Sequence, residues 1–346
     1  MSAAVSAGGD DIFTPAEIDG LLAPLEATPS ALLAVSGGPD STALLLMAAE
    51  WAARRETTWI AAATVDHGLR PASAAEAASV AQLCERLGVP HRTLVWAGAK
   101  PSTRVQEIAR EARYRLLADR ARTIGAGTIV TAHHADDQAE TVLFRLMRGS
   151  GVAGLSGMAP MSERDGISIA RPLLGVAKSA LIAFARARGV AFVEDPSNAD
   201  PRYARTRLRR LIAGLAAEGL DSGGLTRLAR RAAEADEALE RMTDEVEQRL
   251  GAEGPIDAIA LFAAPLAIVQ RILLRRTAAA GGRDPSRIGL EKIEALALSL
   301  REASMRGQAL SANVGGAVAR LSVKGGLGFS PEPARRDRQS LCSRGR

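Results

Sequence analysis

Five small apolar residues, Ala31-Leu-Leu-Ala-Val35, run directly into Ser36-Gly-Gly-Pro-Asp-Ser41 and then into Thr42-Ala-Leu-Leu-Leu-Met47. An apolar run, a glycine-rich turn and a longer apolar run form the pattern of a buried strand, a tight loop and a buried helix. In that order they aim backbone N–H groups and the positive end of a helix at one point, which predicts an anion site. Gly37 and Gly38 admit close approach, Ser36 and Ser41 add hydroxyls, and Pro39 and Asp40 open the helix. The spacing is not that of a Walker A element, and no lysine lies near the loop in the sequence, so charge has to be met by amides and hydroxyls. A capped strand-to-helix turn with nothing bound would use the same residues.

The same alternation continues along the chain. Apolar runs predict strands over 31–35, 58–65, 91–96, 127–132 and 190–194, with helices over 40–54, 73–88, 104–123, 136–148 and 176–188. Near-continuous apolar strands alternating with helices predict an α/β domain with a doubly wound, mainly parallel sheet, whose ligands lie outside the carboxyl ends of the strands. Before it, Thr14-Pro-Ala-Glu17 is a capping box with proline at the first helical position and predicts a helix from Thr14 to Leu25. After it the strand pattern stops. Helices are predicted over 225–250, 265–279 and 286–302, and a small hairpin within 309–329, giving a smaller, mainly helical domain. The expected division is an extension over 1–26, the α/β domain over 27–215, the helical domain over 216–330 and a basic, disordered tail over 331–346.

Composition narrows the function classes. No apolar run reaches the roughly 18 residues of a membrane helix, and the first residues do not have the layout of a leader, so no membrane partner and a cytoplasmic location are expected. Two cysteines, Cys84 and Cys342, are too few for a disulfide framework or a cysteine metal site. Net charge is +5, with arginines crowded between Arg202 and Arg210, a distribution that suits a polyanion or a solvated face. Aromatic content of 3% argues against a stacking platform for single-stranded nucleic acid.

Polar residues collect at the predicted strand ends. The second strand closes on Asp66-His67-Gly-Leu-Arg70, where an adenosine could be read or a turn capped. The fourth closes on Thr131-Ala-His-His-Ala-Asp-Asp-Gln-Ala-Glu-Thr141, placing His133 and His134 before a helix on which Asp137 and Glu140 share a face. Such carboxylates can hold magnesium, grip an ammonium group, or simply favour a helix start. The histidine spacing matches no metalloprotease pattern, which disfavours zinc.

Ser36-Gly-Gly-Pro-Asp-Ser41, Val65-Asp-His-Gly-Leu-Arg70, Glu111-Ala-Arg-Tyr-Arg115, Thr131 to Thr141 and Glu194-Asp-Pro-Ser-Asn198, in that order, resemble the tRNA(Ile)-lysidine synthetase family of N-type ATP pyrophosphatases. The resemblance is strong over 31–210 and weak beyond. It implies ATP-dependent attachment of free L-lysine to the wobble cytidine of tRNA(Ile) with a CAU anticodon, through an adenylated cytidine, with Mg2+ as cofactor. It further implies that Ser36, Gly37, Gly38, Pro39, Asp40, Ser41, Asp66 and His67 bind ATP, with Asp40 as the magnesium contact. Arg113, Asp137 and Glu140 would bind lysine, and Asp40, Asp137 and His133 would be catalytic, with the general base left open. Arg202, Arg205, Arg207 and Arg209 would meet tRNA phosphates. Where the family typically carries an Arg-Asn pair this chain has Arg205-Thr206, which removes any role of the asparagine amide. A homodimer is admitted by these residues and not required. Alternatives are a tRNA thiolase of the same superfamily, which would need cysteines near the site, an amide-forming relative such as NAD or GMP synthetase, and an RNA-binding module with a vestigial nucleotide pocket.

Overall fold

A computed structural model describes residues 12–55, 59–69, 71–98, 100, 103–193, 204–251 and 254–333, residues 204 and 205 by their backbone alone. Its residues form two compact units, one comprising residues up to 149 and 154–230, the other 150–153 and the residues from 231. The division falls inside a helix.

The first unit is built on a six-stranded sheet. In chain order it contains α1 (Pro15–Leu22), β1 (Ser30–Ala34), α2 (Pro39–Ala52), β2 (Trp59–Asp66), α3 (Ser73–Arg86), β3 (His91–Val95), α4 (Val105–Thr123), β4 (Thr128–Val130) and α5 (Ala135–Leu146). There follow the end of α6 (Val152–Leu155), β5 (Met161–Arg164), β6 (Ile167–Ala170), α7 (Lys178–Ala187), α8 (Ala204–Ala216) and the first turns of α9 (Ser222–Leu250). Strand order is β3-β2-β1-β4-β6-β5, all parallel except the β5–β6 pair.

The predicted capping box at Thr14 forms as expected: Glu17 N donates to Thr14 Oγ1 (3.3 Å) and Thr14 N to Glu17 Oε2 (2.8 Å). β1 lies at the centre, with Leu33 and Ala31 facing one core layer and Leu32 the other, which is why its buried middle, Ala31 to Leu33, is wholly apolar. α2 is buried nearly all round, and Trp51, Met47 and Phe184 fill the layer it shares with α1 and α7. The chain runs outward from β1 through β2 to β3 and then returns to β4 on the other side of β1. The loops leaving β1 and β4 therefore part in opposite directions and leave a crevice between them, the place where doubly wound sheets bind ligands.

Two local expectations are corrected. No strand forms over the described part of 190–194: residues 190–193 run in no ladder, and Val193 N instead donates to Gly37 O (2.9 Å), so this apolar run props the glycine loop. The remaining sheet positions are taken by the β5–β6 hairpin, which closes on Asp165 and Gly166 at φ 53° and 74°. An Asp-Gly pair between alternating residues favours such a tight hairpin turn because both positions need positive φ.

The second unit holds the later turns of α9, then β7 (Ile256–Asp257), α10 (Ala258–Phe262), α11 (Leu266–Gly281), α12 (Leu290–Met305), β8 (Leu310–Val314), β9 (Ala317–Leu321) and β10 (Gly326–Pro331). Its helices share a core with a four-stranded antiparallel sheet of order β7-β10-β9-β8, so the expected hairpin gains a third long strand. Arg271 and Arg275 of α11 pair with Asp236, Glu240, Asp244 and Glu247 of α9, an ion-pair ladder along two helices. No described helix is long and apolar enough to cross a membrane.

Candidate active site

The loop after β1 is held open by its own hydroxyls. Ser36 N donates to Ser41 Oγ (3.1 Å), Ser41 Oγ donates to Gly38 O (3.1 Å), and the two serine hydroxyls lie 3.2 Å apart. Gly37 sits at φ +85°, where a Cβ would meet Val80 Cγ2 at 3.1 Å, so both backbone and space exclude a side chain. Gly38 differs: a Cβ there would find only ordinary contacts, Ser36 Oγ at 3.8 Å and Val193 O at 4.0 Å. The protein by itself has no need of a glycine at 38. Gly38→Ala is therefore expected to fold like wild type, within about 0.5 kcal/mol, and, if the loop holds a phosphate as the resemblance implies, to bind ATP at least tenfold more weakly, because the methyl would take up that approach. Gly37→Ala should lose stability by about 1–3 kcal/mol. Thermal unfolding and nucleotide titration of both variants separate the two effects, and equal ATP affinity in Gly38→Ala would contradict the phosphate reading.

Across the crevice, α5 starts at His134, whose ring is 1% exposed and caps the helix: Asp137 N donates to His134 Nδ1 (3.4 Å) and His134 N to Asp137 Oδ2 (3.3 Å). With Nδ1 accepting, Nε2 carries the proton and points between two carboxylates, Asp40 Oδ2 at 3.5 Å and Asp137 Oδ2 at 3.4 Å. One buried imidazole thus ties the glycine loop to the acidic helix. Burial opposes a charge on this ring, but the hydrogen bond to Asp40 and the charges of Asp137, Asp40 and Asp136 outweigh it and hold the pKa above the ordinary histidine value.

Lys178, the first residue of α7, reaches the same carboxylate, with Nζ 3.8 Å from Asp40 Oδ2. The glycine loop is without a lysine only in sequence; the fold supplies one from a distant helix. Asp40 Oδ1 is buried and finds no hydrogen-bond partner among the described residues, an oxygen able to meet a cation or donor.

His133 is held by its Nδ1 against Thr131 Oγ1 (2.8 Å). Burial, opposed by Asp137 and reinforced by Arg110, Arg171 and Arg113, pushes its pKa down to about 3. The ring is neutral at physiological pH and offers an acceptor. Arg113 lies exposed on α4, its guanidinium 5.7 Å from the centre of the Tyr114 ring. Glu140, 3% exposed, is not free to face solvent: Arg209 Nε of α8 donates to its Oε1 at 2.5 Å. Of the predicted phosphate-binding arginines, Arg207 is exposed on α8, Arg209 is turned inward to Glu140, and Arg202 and the Arg205 side chain lie outside the described residues, as does the 194–198 segment. Thr206, standing where the family carries asparagine, is buried at 6%.

Asp66 and His67 do local work. Asp66 Oδ1 accepts from Ser73 Oγ (2.6 Å) and Gly68 N (2.9 Å), bonds that hold its carboxyl below the usual range, and His67 Nδ1 accepts from Leu69 N (3.0 Å). Gln138 is likewise structural, pinning the 156–158 turn through paired bonds with Met158 N (2.7 Å) and O (2.9 Å).

The loop, the crevice and the sheet order together describe a nucleotide-handling α/β enzyme, and residues 14–215 match the family model of the PP-loop domain. The tRNA(Ile)-lysidine synthase of Rhodopseudomonas palustris is 51% identical over 332 residues, 92% of this chain and 95% of that protein. That of a Bradyrhizobium species is 45% identical over 94% of this chain and 96% of its own. The chain belongs to the tRNA(Ile)-lysidine synthase family. Among solved structures, the U34-tRNA thiolase NcsA from Methanococcus maripaludis with its 4Fe–4S cluster superposes with a TM-score of 0.54 at 15% identity, covering 64% of this chain and 78% of that one, a likeness of fold.

Proposed function

We propose that this chain uses ATP to join free L-lysine to C2 of the wobble cytidine of tRNA(Ile) with a CAU anticodon. The C2 carbonyl oxygen attacks the α-phosphorus of ATP and pyrophosphate leaves. Lysine's amine then attacks C2, the C–O bond breaks, AMP departs and the amine loses its extra proton, leaving lysidine. The observation that carries this reading is His134, which brings Asp40 of the glycine loop and Asp137 of α5 within 3.5 Å of one ring nitrogen. A phosphate site and an ammonium site so close allow activation and amine delivery at a single carbon.

Charge develops on the departing pyrophosphate, and the amides of Gly37 and Gly38, the hydroxyls of Ser36 and Ser41 and the Lys178 ammonium would meet it. Pro39 starts α2 so that its N-terminus faces the same point. Asp66 and His67 fix the turn after β2 that would flank the adenosine. For Mg2+ the residues fit: among the described residues Asp40 keeps one buried oxygen without a hydrogen-bond partner, as suits an ion held by one carboxylate and phosphate oxygens. When bound it would neutralise phosphate charge. Asp137 and Glu140 bind lysine's ammonium, Arg113 its carboxylate. His133, with a pKa of about 3, accepts a hydrogen bond there but stores no proton. Arg202, Arg205 and Arg207 meet the tRNA backbone.

Sulfur transfer fits the described residues less well. Cys84, the only described cysteine, is buried in the core and its thiol is pushed up to about 11 by burial, far from a reactive thiolate. Incubation with ATP, Mg2+, labelled lysine and bulk tRNA should place label in tRNA(Ile) with the CAU anticodon. Absence of transfer, or label in other tRNAs to the same extent, would contradict the proposal.

A further inference from the structure

Four arginines gather around Tyr114, a buried residue of α4. The guanidiniums of Arg110, Arg113 and Arg164 lie 5.1, 5.7 and 4.9 Å from the centre of its ring. Arg171, the residue directly after β6, comes to the same side chain, for the Tyr114 hydroxyl and the charge of Arg110 both act on it. Arg164 has carboxylates beside it, Glu111 at 3.9 Å and Asp165 at 3.7 Å. Among the described residues no carboxylate pairs with Arg110 or Arg171. From this arrangement we infer that Arg171, with Arg110, seats the α-carboxylate of the incoming amino acid, and so decides that the amine donor is an amino acid and not a simple amine. The inference rests on the proposal that lysine is that donor.

Three observations support it. Arg171 is half-buried, and its hydrogen bonds of ordinary geometry come from Nη1 alone, to Ala159 O (2.8 Å) and Ser162 Oγ (3.0 Å), while Nε is buried without one. Tying two chain oxygens needs donors and no charge. Burial, opposed by Tyr114 and reinforced by Arg110, holds this guanidinium below the ordinary arginine pKa, so the charge is kept at a cost that nothing of opposite sign nearby offsets.

The second observation is place. β4 and β6 are neighbours in register Val130 to Ala170, and Thr131 N donates to Ala170 O (2.9 Å), so Thr131 and Arg171 leave the carboxyl edge of the sheet side by side. Ligands of doubly wound sheets lie off that edge. The third is the sign of charge on either side of His133, whose neutral ring feels Asp137 with one sign and Arg110, Arg171 and Arg113 with the other. A zwitterion laid across this imidazole meets a carboxylate with its ammonium and guanidiniums with its carboxylate. Arg110 and Arg113 lie three residues apart on α4, so the exposed Arg113 closes from outside a seat whose inner wall is Arg171.

The test compares lysine with cadaverine, which has the same carbon chain and two amines but no carboxylate, as substrates of the full chain with saturating ATP, Mg2+ and tRNA(Ile). Wild type should prefer lysine in kcat/KM by about 10²-fold, because a site built around unpaired charge rejects a ligand without the counter-charge. Arg171→Gln keeps a donor for the chain oxygens and removes the charge. It should lower kcat/KM for lysine about 10²-fold, mainly through KM, and leave cadaverine within about threefold of wild type, so that the preference disappears. In Arg110→Gln the preference should fall about tenfold. Thermal unfolding checks both variants, and if Arg171→Gln does not fold, Arg110→Gln decides, an unchanged preference overturning the inference. Equal loss on both amines in Arg171→Gln would make Arg171 a structural tether and overturn it. So would weaker tRNA binding with the lysine preference intact, which assigns the guanidinium to an RNA phosphate. A wild type that transfers lysine and cadaverine equally well overturns this inference and leaves the proposed function standing, whereas a wild type that transfers no lysine brings down both.

Discussion

Asp40→Asn is expected to slow pyrophosphate release in the presence of tRNA by about 10²–10³-fold, the usual cost of removing one preorganised electrostatic contact to a transition state. The substitution keeps size and hydrogen-bonding capacity but removes the charge that faces Lys178 Nζ at 3.8 Å and His134 Nε2 at 3.5 Å. It also weakens the buried Oδ1, the oxygen proposed to meet Mg2+. Because Asp40 is only partly buried and opens α2 without a side-chain cap bond, the fold should survive, and tRNA affinity should match wild type. Quench measurements of pyrophosphate check the rate. Release within threefold of wild type would remove Asp40 from the phosphate site.

Asp137→Asn separates the two chemical steps. An asparagine oxygen can still accept from His134 N, now 3.3 Å away, so the N-terminal cap of α5 is retained. What disappears is the charge proposed to face lysine's ammonium, and loss of one partner from a desolvated charge pair costs about 2–5 kcal/mol. Lysine transfer should therefore fall about 10²-fold or more while adenylation continues, so AMP-bearing tRNA accumulates when α-labelled ATP is used. Asp137→Ala should abolish transfer as well and lose a further ~1 kcal/mol of stability with the cap. Equal loss of both steps would mean that Asp137 serves the nucleotide and not the amine.

What the sequence revealed and what it hid follow from the range of each signal. The glycine loop and the strand ends were legible because their geometry is local: Pro39, Gly37 and the capping residues act within a few positions. The order of strands was not, and with it went the reason why the loop after β1 meets the loop after β4. The β5–β6 hairpin had a signal in Asp165-Gly166 between alternating residues. It was overshadowed by the apolar 190–193 run, whose backbone turns out to support Gly37. Lys178 had no local signal at all, since only the packing of α7 against α2 brings it to Asp40. The same holds for Arg209: in an arginine-rich run all members look alike, and only the pairing of α8 with α5 selects the one that turns inward. Residue chemistry at strand ends was visible, whereas partnerships across the fold had to be seen.

The most direct measurement of the central claim is the mass of the wobble nucleoside recovered from tRNA(Ile) with the CAU anticodon after reaction with ATP, Mg2+ and lysine, together with the nucleotide products. The account predicts cytidine gaining lysine less one water, with one AMP and one pyrophosphate formed for each lysine attached. A sulfur-bearing or unchanged cytidine, or ADP in place of AMP, would contradict it.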